Sequence, residues 1–159
     1  MSEAFRIRSS RFAIALIASV LVSWNQAFAN DESDEPICPN HLHDRTTDQV
    51  LQAHAAAFVT GDAGRIACDY AEDAIFILPG SLATGRSQVQ ATFAYFLGLA
   101  GRNVSLSLHS LTIAANTALL EYAVDSDHLV VADGGVDTFV VRNGLIVAQT
   151  AHLGGPSFK

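Results

Sequence analysis

An α+β fold follows from three features of this 159-residue chain. Apolar residues between about 50 and 100 recur at three- and four-residue steps, the period of helices. From Val104 onward the period falls to two, the period of strands. The helical part comes first and the strand part follows without alternation, which separates α+β from α/β. The expected architecture is a cone-shaped roll of three helices packed on a curved, mainly antiparallel β-sheet.

The N-terminus stands apart from that pattern. Arg6, Arg8 and Arg11 precede the apolar run Phe12 to Val22, and Ala27-Phe28-Ala29 precedes Asn30. This order is that of a secretory signal peptide, and the run is too short to cross a bilayer as a helix. The chain therefore reads as a signal peptide over 1–29, an acidic leader over 30–45, a domain over 46–154 and a tail over 155–159. The mature protein would be exported, to a periplasm or to the outside. Removing Glu3 and the three arginines leaves six basic and fifteen acidic residues, a net charge of −9. So acidic a protein is poorly suited to nucleic acid or to an anionic membrane surface, and neither is expected as a partner.

Thr46 with Gln49 three residues on is a capping-box pattern that opens the first helix. Val50, Leu51, His54 and Phe58 share one face of it. Gly61 suits its C-terminus and Asp62 the start of the next helix, expected to run to about Ala71 with Tyr70 on its buried side. Ala74 to Leu78 reads as a short buried strand stopped by Pro79-Gly80. Gly85-Arg86-Ser87 leads into a third helix carrying Val89, Phe93, Phe96 and Leu97. Strands then follow: Val104 onward, Ala118 to Val124, His128 to Ala132 and Val136 to Val141, with a bulge or turn at Gly134-Gly135. Asn143-Gly144 is a two-residue hairpin signal, and Leu145 to Leu153 is the last strand. The residues after it read as a short loose tail.

The two cysteines, Cys38 and Cys68, lie 30 residues apart. In an oxidising compartment an even count favours a disulfide, which closes a loop and stabilises by roughly 3–4 kcal/mol on the chain-entropy model. Two independent thiols are the alternative. A metal pairing with His41 and His43 lacks the usual ligand spacing, so no metal site is expected.

The order helix, Gly-Asp, helix, strand, Pro, helix and meander, with Asp137-Thr138-Phe139 and the Asn143-Gly144 hairpin, resembles the nuclear transport factor 2-like superfamily. Within it the chain is most similar to the SnoaL-like branch, which groups with ketosteroid isomerases and polyketide cyclases. The resemblance spans about Thr47 to Gly154 and implies a pocket inside the cone and a homodimer through the sheet. Ketosteroid isomerases place a tyrosine, a protonated aspartic acid and a basic aspartate in that pocket. On the same register this chain has His54 at the tyrosine position, Asp137 at the aspartic acid and Leu78 at the base. The departure at Leu78 argues against steroid isomerisation as such. Strand parity turns Tyr122, Val124, Phe139, Gln149, Ala151 and Leu153 inward and His152 outward.

The candidate catalytic residues are thus His54 and Asp137, and Tyr122, Gln149, Phe139 and Leu78 are the candidate ligand-binding residues. Asp137 sits among apolar neighbours, where burial raises a carboxyl pKa and fits it to donate to an oxyanion. It is also the one acid that this register places inside with His54. If the two meet, Asp137 either orients the imidazole as a carboxylate or donates as an acid. The expected function is a cofactor-independent acid–base enzyme of isomerase, cyclase, dehydratase or hydrolase type acting on a small apolar molecule. The alternative is a non-catalytic protein holding such a ligand in the same pocket. A third reading is a structural dimer without a ligand.

Intact-mass measurement of the exported protein is expected to give a chain beginning at Asn30 and a two-hydrogen increase on reduction. A full-length mass, or no change with reductant, contradicts the corresponding half of this expectation.

Overall fold

The computed structural model describes Pro36 and residues 38–159. The expected signal peptide and leader residues 30–35 lie outside the described residues. A 3₁₀ turn, Leu42–Asp44, precedes three α-helices: α1 (Thr47–Thr60), α2 (Ala63–Ala67) and α3 (Arg86–Ala100). The strands are β1 (Tyr70–Leu78), β2 (Ser81–Thr84), β3 (Ser105–Ala114), β4 (Thr117–Asp125), β5 (Leu129–Arg142), β6 (Leu145–Leu153) and β7 (Ser157–Phe158). They form one strongly curled mixed sheet in the order β2-β1-β6-β5-β4-β3, with β7 pairing β5. All pairings are antiparallel except β1 with β6.

Local chemistry sets the helix limits as expected. The Thr46 hydroxyl accepts from the Gln49 N–H at 3.3 Å, and the Gln49 side chain accepts from the Thr46 N–H at 2.9 Å. Gly61 closes α1 in the left-handed conformation, and the Asp62 carboxylate caps α2 at the Arg65 N–H. Val50, Leu51, His54 and Ala57 form the buried face of α1. The sheet's inner face supplies Phe76, Val124, Val131, Phe139 and Ile146 to the same core.

Three sequence expectations need correction, and the bulge or turn expected at Gly134-Gly135 is a bulge. The second helix ends at Ala67, and Tyr70 opens β1 instead of continuing the helix. The Ile146 N–H donates to the Asp69 carbonyl at 2.8 Å, so pairing with β6 replaces a further helical turn. Pro79-Gly80 does not merely stop β1; it reverses the chain into β2, with Leu78 facing Ser81. The stretches on either side of Gly134-Gly135 belong to one strand, β5, whose pairing with β4 shifts register between Tyr122 and Val124. The tail is not loose throughout: Phe158 pairs with Leu129 and Ser157 with Val130.

Cys38 and Cys68 form a disulfide, with Cα atoms 5.3 Å apart, tying the segment before α1 to the end of α2. The same segment crosses the β5–β6 hairpin. Asn143 and Gly144 have φ of 50° and 70°, the type I′ pattern that the sequence signals. A Cβ on Gly144 would lie 2.1 Å from the Leu42 carbonyl oxygen. Gly144→Ala is therefore expected to cost roughly 2–3 kcal/mol in urea unfolding, from strain and overlap together. Gly98→Ala is the control, since nothing lies within 4 Å of its added Cβ and it sits in a helix. It should be neutral or stabilising by about 0.5–1 kcal/mol. Equal losses at the two positions would refute the close approach.

Candidate active site

Asp137 lies on β5 between Leu120 of β4 and Ala151 of β6, on the inner face. Both carboxylate oxygens have a donor. The Tyr122 hydroxyl donates to Oδ1 at 3.1 Å and the Gln149 amide to Oδ2 at 2.6 Å. The Tyr70 hydroxyl donates to the Gln149 Oε1, which orients that amide with its NH₂ toward Asp137. Tyr70 and Gln149 are almost wholly enclosed, at 0% and 1% exposure. A four-residue polar network is thus closed inside an otherwise apolar core.

Gly135 makes the Tyr122 contact possible. It pairs with Tyr122 across the strands, and a Cβ there would lie 2.6 Å from the tyrosine ring. Without that carbon the ring lies over β5 and its hydroxyl reaches Asp137, two residues further along the same face.

Burial pushes the Asp137 carboxyl up from 3.8 to about 7, against the opposing pull of the hydrogen bonds from Gln149 and Tyr122. Burial, and then the charge of Asp137, pushes both tyrosine hydroxyls well above their ordinary value. They remain phenols, and donors, at any physiological pH.

His54 stands in a second polar group. Its Nδ1 lies 3.7 Å from Asp69 Oδ2, and Asp69 Oδ1 lies 2.6 Å from Arg45 Nη1. The Nδ1 is buried and has no hydrogen-bond partner among the described residues. Around the ring stand Tyr70, Phe93 and Phe139, edge-on, with centroids 5.5, 5.8 and 5.6 Å away.

The sequence-predicted residues are therefore brought into one interior but not paired as expected. The oxygens of Asp137 are taken by Tyr122 and Gln149, and the acid beside His54 is Asp69. Asp137 is not the one interior acid, because Asp69 is equally buried. The two groups meet through Tyr70, whose ring contacts His54 and whose hydroxyl holds Gln149. Phe139 lines the His54 side, whereas Leu78 is half-buried at the far end of β1. Sequence reasoning missed Asp69, Tyr70 and Arg45 as site residues, since it put the first two on a helix and the third in the leader. The signal for Tyr70 was present: reading 70–78 as one strand gives it the parity of Ala74 and Phe76, and all three are buried.

The inner face is not covered everywhere. Leu108, Leu111 and Ile113 of β3 pair with the inward-facing Tyr122, Leu120 and Ala118 and so share their side of the sheet. All three remain exposed, Leu108 by 53%. Exposed aliphatic side chains thus flank Tyr122 on its β3 side.

The chain belongs to the SnoaL-like domain family, whose model matches residues 51–149. Solved structures with the same fold include a nuclear transport factor 2-like protein of unknown function from Burkholderia xenovorans. It is 24% identical, covers 71% of this chain and 82% of its own, and has a TM-score of 0.56. Another is a Catenulispora acidiphila protein with a ketosteroid isomerase-like fold, in complex with trimethylamine, at 17% identity. It covers 67% of this chain and 86% of its own, with a TM-score of 0.57. A third is an epoxide hydrolase from M. tuberculosis, at 17% identity, 71% and 82% coverage and a TM-score of 0.56. A search of curated proteins finds no match. Among the described residues no group of side chains is arranged to hold a metal ion. None of their helices is long and apolar enough to cross a membrane.

The buried acid makes stability depend on pH. An aspartate raised from 3.8 to about 7 holds its proton more tightly folded than unfolded. Its contribution is full below 3.8 and is lost as pH rises through 7. Urea unfolding should show wild-type stability falling by roughly 2–3 kcal/mol between pH 5 and pH 8 from this group. Asp137→Asn should remove most of that fall. An unchanged pH dependence in the variant would mean that Asp137 is not the titrating group.

Proposed function

We propose that the protein is a cofactor-independent acid–base enzyme acting on a small, largely apolar molecule held between the helices and the inner face of the sheet. The observation that carries this reading is Asp137: a carboxyl enclosed in an apolar interior and anchored on both oxygens, which burial pushes up to about 7. General acid–base groups work best when their pKa lies near the operating pH. Each carboxyl oxygen has a lone-pair site beyond the one occupied, so Asp137 can carry a proton without losing its anchors. In its acid form it donates to an oxygen that becomes negative on the substrate. His54 takes the proton removed, because the side chain at the usual base position, Leu78, cannot accept one. The two roles that one acid could not fill together fall to separate residues. The exposed aliphatic surface formed by Leu108, Leu111 and Ile113 supports an apolar substrate. Proton transfer next to a carbonyl, dehydration, cyclisation and epoxide opening all use this pair of roles.

Native mass spectrometry of the protein taken from its own compartment should release an apolar small molecule. Incubated with the protein in D₂O, that molecule should gain deuterium or be converted. His54→Gln and Asp137→Asn are each expected to slow this at least about 100-fold. A retained ligand that neither exchanges nor reacts would establish the non-catalytic alternative. Full turnover in both variants would show the proposed site to be wrong.

We further propose export and dimerisation. The Cys38–Cys68 bond suits an oxidising compartment, in keeping with the signal-peptide pattern. On the outer face, the row Leu119, Thr138, Thr150, Ile77 and Leu82 crosses five strands, with Val140 and Ile75 beside it. Ile75, Ile77, Leu82 and Leu119 are exposed there. A second copy covering this face would bury them. Light scattering at micromolar concentration should give a dimer, and Ile77→Glu with Leu82→Glu should give a monomer. A wild-type monomer under those conditions excludes the assembly.

A further inference from the structure

The proposed chemistry leaves one buried group unexplained. Asp69 and Arg45 form an ion pair beside His54, with no hydrogen bond to the Asp137 network. Arg45 is held from several directions. Its Nε donates to the Leu42 carbonyl at 3.2 Å and its Nη2 to the Gly144 carbonyl at 2.9 Å. Its Nη1 then meets Asp69 Oδ1 at 2.6 Å. The guanidinium is therefore fixed by the segment that carries Cys38 and by the tip of the β5–β6 hairpin. Asp69 is fixed at its backbone by Ile146 of β6. Its remaining oxygen, Oδ2, lies 3.7 Å from the enclosed, unpartnered Nδ1 of His54.

We infer that Asp69, anchored by Arg45, is a positioning residue that holds the proton of neutral His54 on Nδ1 and leaves Nε2 as the atom that accepts a proton. The inference rests on the reading of His54 as the base. The Arg45 guanidinium donates to Oδ1 of Asp69, so the carboxylate turns its other oxygen, an acceptor, to the imidazole. A ring nitrogen facing an acceptor carries the hydrogen, and the opposite nitrogen is then bare. The 3.7 Å separation is longer than a hydrogen bond. Catalytic contacts of this kind tighten in the Michaelis or transition-state complex. Because Arg45 already opposes its charge, Asp69 supports and orients the imidazole; it does not carry the proton onward. The segment before α1, fastened by the Cys38–Cys68 bond, is accordingly part of the site.

The test reads the His54 tautomer directly. Protein labelled with ¹⁵N-histidine is examined by long-range proton–nitrogen correlation with the imidazole neutral, with His54→Gln assigning the signal. Wild type should show Nδ1–H and a bare Nε2. In Asp69→Asn, Arg45 can only donate, so the new amide oxygen turns to Arg45 and the amide NH₂ turns to His54. The imidazole must then accept at Nδ1, and the two ring nitrogens should exchange their chemical shifts. Asp137→Asn should leave the tautomer as in wild type, and this separates the positioning role from the acid role. An Nε2–H tautomer in wild type overturns the inference. So does a folded Asp69→Asn protein whose tautomer is unchanged. If Asp69→Asn does not fold, the wild-type spectrum alone decides, Nδ1–H supporting the pair and Nε2–H refuting it. Loss of catalysis without a tautomer change in Asp137→Asn bears on the proposed reaction and not on this pair.

Discussion

The hydrogen bond from the Ile146 N–H to the Asp69 carbonyl ties the two polar groups of this protein together. It ends α2 and starts the one parallel pairing of the sheet. Asp69 and Tyr70 are adjacent in the chain, and at this point their side chains serve different systems. The Asp69 carboxylate joins Arg45 and His54, while the Tyr70 hydroxyl joins Gln149 and, through it, Asp137. A helix continued for another turn would carry both side chains elsewhere. The register of β1 on β6 is thus also the register of the site.

Two acids in one interior are held in opposite ways. Asp69 has a permanent cation on one oxygen. Asp137 has only neutral donors, a phenol and an amide, and burial dominates its proton affinity. Neutral donors offset part of the desolvation of a carboxylate but do not cancel its charge. A fully connected network of this kind is stiff, because removing any member leaves a buried polar group without a partner. Rigidity of this sort is what a site needs if donors are to be in place before charge develops.

Much of the fold was legible because it is written in local patterns. Thr46 with Gln49, Gly61-Asp62 and Asn143-Gly144 are short-range signals whose chemistry does not depend on the rest of the chain. Strand parity gave the inward set Tyr122, Phe139 and Gln149, since once one residue of a strand is known to face the core its alternates follow. The illegible parts depend on contacts made far along the chain. Nothing local in Ala67-Cys68-Asp69-Tyr70 says that a strand starting at Leu145 will claim the backbone there. Arg45 reads as one charge in an acidic leader until the hairpin tip at Gly144 stands beside it. The pairing of His54 with Asp69 is hidden for the same reason: a second helix read to Ala71 runs four residues past its end at Ala67, and the acid moves with it.

Among the described residues, the strands β2 and β3 that end the main run of the sheet differ in how they meet other chains. An open edge offers unpaired N–H and C=O groups that invite another strand. β2 is only four residues long, too short to serve as a template. β3 is ten residues long and carries exposed leucines, which is the greater hazard. Its pairing with β4 slips between Leu108 and Ser110, and a bulge of that kind bends a strand and deepens its twist. A straight partner strand cannot follow it along its length. The aliphatic surface beside Tyr122 can therefore stay exposed without also seeding fibrillar stacking.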